Sequence, residues 1–236
     1  MIMKRSQAIA EILLFFGAFF LPGYAAQGLF APPDSATNLL MFQSVLTGVP
    51  QFLLMAWVVT ARDQTPPARW GLVKLEPRDV LRTALLILGC FAAVMPFVVL
   101  LIALPPEASR SLGRGYRWGL QSAAQIPVAM LFGLTAGYRE EFFFRAYLLG
   151  RLDELGLNVP AAVAVSTTVF CLGHVYEGPL AVAVTAVLGV LLSAAWLRRR
   201  SLHVVAIAHG AYNALVLCLG LVLPRTLPQA RILHIF

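Results

Sequence analysis

Four ionisable side chains fall within seven residues, Arg139-Glu140-Glu141-Phe142-Phe143-Phe144-Arg145, interleaved with aromatics. On a helix, Glu141 and Arg145 are four apart with the Glu first, so they share a face and can pair. The 3.6-residue period turns Glu140 about 100° away from Glu141. This reading leaves Glu140 as an unpaired carboxylate in apolar surroundings. Burial there favours its protonated form and suits a general base or acid working near neutral pH.

Two histidines follow at positions where a partner is useful. His174 comes after Phe170-Cys171-Leu172-Gly173, and His209 opens His209-Gly210-Ala211-Tyr212-Asn213. His209 and Asn213 are four apart on one helix face, and both can donate hydrogen bonds, as an oxyanion site requires. His203, beside Arg198-Arg199-Arg200, and His234, in the tail, have no assigned role.

The residues alone leave other readings open. Glu140, His174 and His209 have the composition of a catalytic zinc set, although no HExxH is present. Cys171, three residues before His174, could act as a nucleophile or simply pack as a small apolar residue. Intramembrane Glu, Arg and His also mark transport pathways, so a non-catalytic transporter or an immunity or binding factor is a further alternative.

The elements that position these groups must be membrane spans. Of 236 residues, 12 % are charged and 59 % hydrophobic, and the mean hydropathy is +0.79. Soluble domains carry about 25 % charged and about 45–50 % apolar residues, which excludes that class and predicts an all-α polytopic bundle. Apolar runs of about 20 residues predict seven spans: 8–30, 39–60, 80–104, 118–152, 159–176, 179–197 and 202–223. The loop between Arg62 and Arg82 is rich in Pro and charge, and Trp70-Gly71-Leu72 is expected at headgroup level. A chain reversal over 153–158 would set His174 opposite Gly137, within one turn of Glu140.

The net charge of +7 comes from basic residues clustered between apolar runs, the pattern of membrane loops rather than of a nucleic-acid surface. With a cytoplasmic N-terminus, eleven basic residues fall in inside loops and five outside, which favours that orientation for a multi-pass integral membrane protein. Gly23-Tyr24-Ala25-Ala26 resembles a signal-peptidase site, but the spans that follow favour a retained first helix. Cys90, Cys171 and Cys218 read as free thiols inside spans.

Taken in order, EExxxR at Glu140, Glu141 and Arg145, FxxxH at Phe170 and His174, and HxxxN at His209 and Asn213 resemble the CPBP family. These are CAAX-type prenyl endopeptidases and bacteriocin-processing homologues, known as glutamic intramembrane proteases. Ala146 stands where many relatives have Gly after the Arg. The resemblance implies that Glu140 and His174 activate a water against a peptide carbonyl, that His209 and Asn213 stabilise the oxyanion, and that Glu141 and Arg145 form a structural ion pair. It implies no cofactor and no metal, and a membrane-anchored or lipidated protein as substrate. The expected organisation is N-terminal helices with a cytoplasmic loop over 1–117, a protease core in the last four helices over 118–223, and a short tail over 224–236.

Overall fold

A computed structural model describes residues 5–25, 37–62, 64–105, 107–108, 112, 120 and 122–222. The described elements are helical: α1 (Arg5–Phe19), α2 (Leu21–Ala25), α3 (Thr37–Trp57), α4 (Pro77–Ala103), α5 (Ile126–Glu141), α6 (Leu149–Glu154), α7 (Val159–Leu172), α8 (Pro179–Arg199) and α9 (Leu202–Val222). A wide π turn over Val58–Arg62 extends α3, and a second, Phe142–Leu148, joins α5 to α6. The expected helix start at Trp118, the basic residues Arg110, Arg114 and Arg117, the end of the first span and the tail lie outside the described residues.

The bundle is a membrane fold, but the seven expected spans are not equivalent. Among the described residues, four helices are long and apolar enough to cross a bilayer: Asn38–Arg62, Pro77–Ala103, Pro179–Arg199 and Leu202–Leu219. The others fall short for separate reasons. The first helix stops at Phe19 after 15 residues. Charge interrupts the apolar run of the helix that holds Glu140. The span expected over 159–176 is cut at Leu172, giving a 14-residue helix, about 21 Å at 1.5 Å per residue against a core about 30 Å thick.

Local sequence sets the hairpin between α6 and α7. Gly156 takes a left-handed φ of 91° after α6, and the Asn158 side chain accepts from the Ala161 N–H at 3.0 Å to cap α7. Small residues then let α5 and α9 approach. A Cβ on Gly133 would lie 2.3 Å from the Gly210 carbonyl oxygen, and one on Gly137 would lie 2.2 Å from that of Ala206. This is a small-xxx-small crossing of the type that brings membrane helices backbone to backbone.

Phe142, Phe143, Phe144, Arg145, Ala146, Tyr147 and Leu148, the whole second π turn, are buried. A wide turn breaks the regular ladder of backbone hydrogen bonds, and one of its carbonyls, that of Phe144, accepts from the Ser166 hydroxyl of α7 at 2.8 Å. Trp70 is not a headgroup anchor. It is 1 % exposed, donates from Nε1 to Thr65 at 2.8 Å and packs its ring on Tyr147 and Arg151. Arg151 is buried as well. Its Nη2 donates to Glu11 of α1 at 2.8 Å and its Nη1 to Glu154 at 2.9 Å. Glu11 also accepts from the Tyr147 hydroxyl at 2.8 Å and pairs with Arg62.

Candidate functional site

Glu140, His174, His209 and Asn213 line one cavity of about 660 Å³, a size typical of ligand-binding clefts. Three elements deliver them. Glu140 lies at the end of α5, and His209 and Asn213 share a face of α9, which the close crossing holds against α5. His174 enters differently, because α7 has already ended and His174 opens the short 3-10 turn Val175–Glu177.

Glu141 organises the polar centre. It is fully buried, and its Oε1 accepts from Arg145 Nη1 at 2.8 Å and from His209 Nδ1 at 2.7 Å. A carboxylate accepts only, so Nδ1 of His209 carries the proton. The ring's other nitrogen, Nε2, lies 4.0 Å from Glu140 Oε2. His174 is oriented in a similar way: Nδ1 donates to the Phe170 carbonyl at 3.2 Å, which leaves Nε2 as its acceptor. Phe170 packs edge-on against both imidazoles, with centroids at 5.0 Å from His174 and 5.9 Å from His209, and the Arg145 guanidinium sits over its ring at 4.4 Å. The Phe of the FxxxH spacing thus packs against both histidines and under the Arg145 guanidinium.

The expected Glu141–Arg145 pair is present, whereas the expectation that Glu140 stands unpaired is corrected. Arg139 Nη2 donates to Glu140 Oε1 at 3.0 Å, so the premise of an isolated carboxylate does not hold. Helical spacing missed this because neighbours at i and i+1 do not face each other on a helix; the long Arg139 side chain bends round to reach. Its Nη1 also donates to Gln51 of α3 at 3.3 Å, and its guanidinium lies 5.1 Å from the Phe20 ring.

The cavity is not confined to the last four helices. Phe20, between α1 and α2, Tyr24 of α2, Gln51 of α3, Cys90 of α4, and Thr185 and Leu188 of α8 also contribute to its wall. No motif in the first hundred residues signals this. The available hint is Gln51, one of two amides in the apolar span 39–60. Cys171 is not among the lining residues; its thiol points to the Val182 carbonyl at 3.8 Å, away from a nucleophile's position. Cys90, Cys171 and Cys218 are all free thiols. Among the described residues no group of three His, Cys, Asp or Glu side chains converges to hold a metal ion. His203, with no assigned role, bonds through Nδ1 to the Tyr138 hydroxyl at 2.8 Å.

No curated protein and no solved structure matches the chain. Residues 122–215 match the family model described as type II CAAX prenyl endopeptidase Rce1-like, a segment that contains Glu140, Glu141, Arg145, His174, His209 and Asn213 and agrees with the CPBP resemblance. The part of this membrane bundle that carries the cavity's ionisable groups is therefore similar to the Rce1-like CAAX-type endopeptidases.

Proposed function

We propose that this chain is an intramembrane endopeptidase of glutamic type. Glu140 accepts a proton from a water held between it and His174 Nε2, and the hydroxide attacks a substrate carbonyl. The oxyanion is then held by His209 Nε2 and the Asn213 amide. For His209 to donate there its ring must carry both protons. Glu141 at Nδ1 and Glu140 4.0 Å from Nε2 provide the negative charge around such a cation. Proton return from Glu140 to the leaving amine completes hydrolysis without a covalent intermediate.

The observation that carries this reading is the convergence of Glu140, His174, His209 and Asn213 on one cavity with both imidazoles fixed through Nδ1. The substrate is a membrane-anchored or lipidated protein. A prenylated C-terminus follows from the matched family's description, and another lipid anchor uses the same cavity equally well. The N-terminus is cytoplasmic. Proteoliposomes loaded with farnesylated and with palmitoylated fluorogenic peptides test the proposal. At least one peptide is cleaved by the wild type, and Glu140→Gln reduces the rate by about 10²–10⁴-fold, the usual worth of a general base, with unchanged thermal stability. Cleavage by Glu140→Gln within about threefold of wild type ends this mechanism.

A further inference from the structure

Tyr24 lies on α2, outside the segment that matches the family, and its side chain reaches the end of α7. There the helix stops early. The Gly173 N–H donates to the Phe170 carbonyl at 3.1 Å and the His174 N–H to that of Cys171 at 2.9 Å. A continued α-helix would give the Val169 carbonyl to Gly173. That oxygen accepts from the Tyr24 hydroxyl at 3.3 Å. The next carbonyl, of Phe170, holds Nδ1 of His174. Two adjacent carbonyls at one helix end thus secure Tyr24 and His174 side by side.

We infer that Tyr24 is a positioning residue for His174: it keeps α7 from winding on and so aims the imidazole into the cavity. The inference rests on the proteolytic reading of the site. Gly173 makes the contact possible, since a Cβ there would lie 2.7 Å from Tyr24 Cε1 and 2.9 Å from its hydroxyl oxygen. The ring therefore rests on the backbone of the residue just before His174. Phe16 at 5.4 Å and Phe20 at 6.4 Å hold it from behind. His174 has a non-helical backbone, φ −120° and ψ 7°. Another turn of α7 would rotate its side chain with the backbone.

The test is Tyr24→Phe in the full chain in proteoliposomes, read two ways. Cleavage of the farnesylated or palmitoylated peptide falls about 5- to 10-fold in kcat, the scale of one lost hydrogen bond that orphans a carbonyl, with KM and Tm unchanged. Hydrogen exchange of a peptide covering 169–177 quickens about fivefold, while α9 keeps its wild-type exchange. Unchanged exchange over 169–177 overturns the proposal, as does a raised KM with wild-type kcat. If the wild type cleaves neither peptide, the proteolytic reading fails, and exchange over 169–177 still decides whether Tyr24 restrains the end of α7.

Discussion

Two buried ionic clusters sit on the same long helix, about three turns apart, and they are built on opposite principles. Around Glu11, every principal partner is engaged: its carboxylate accepts from the Tyr147 hydroxyl and Arg151 and pairs with Arg62, and Arg151 turns its second arm to Glu154. Glu11 does not line the cavity. Around Glu141, one oxygen takes both donors, Arg145 and His209, and the neighbouring Glu140 lines open space. Burying charge is expensive in both places. Only the second has room for another molecule, so scarcity of charge in a membrane chain marks candidates, and the space beside a charge distinguishes a working group from a clamp.

Substitutions can break that contrast, beginning with the largest effects. Glu140→Gln removes about 10²–10⁴-fold of cleavage and leaves Tm in place. Glu11→Ala does the reverse. With Arg151 left to Glu154 alone and the Tyr147 hydroxyl without its acceptor, stability falls by about 3 kcal/mol while kcat of the folded fraction is retained, as thermal melts and single-turnover assays in the same vesicles can measure. A large kcat defect in Glu11→Ala would show that the two clusters are coupled. Next in size is Gly137→Ala. The added methyl meets the Ala206 carbonyl, forces α5 from α9, and costs about 1–3 kcal/mol together with a kcat loss, because the same crossing sets His209 against Glu141. Smallest is Ser166→Ala, which removes the hydroxyl donor from the Phe144 carbonyl and lowers stability by about 1 kcal/mol in a denaturant titration.

Much of this was legible in the chain because the relevant relations are short in sequence. The four-residue spacings of Glu141–Arg145 and His209–Asn213 fix shared faces, and the reversal at 153–158 brings His174 to the level of Glu140. What escaped is long-range or depends on side-chain length. Nothing local indicates that Glu11 meets Arg151, that Trp70 is covered by Tyr147 and Arg151, or that Gln51 and Tyr24 border the site. Arg139 was read as one of four charges, yet its flexible stem lets it bend onto Glu140 against the helical rule. The early end of α7 was equally hidden, since Val175 and Tyr176 continue the apolar run and only the backbone reveals that Gly173 has left the helix.

The π turn over Phe142–Leu148 has one further consequence. A wide turn amounts to one residue inserted into an α-helix, which re-phases everything after it by about 100°. Glu141 before it and Arg151 after it can therefore address different neighbours, α9 and α1, from one continuous rod. Trimming a single residue from that stretch would leave the upstream half in register and swing the downstream half off its partner. The helix works as a two-dial lock, each dial set independently at the cost of one extra residue.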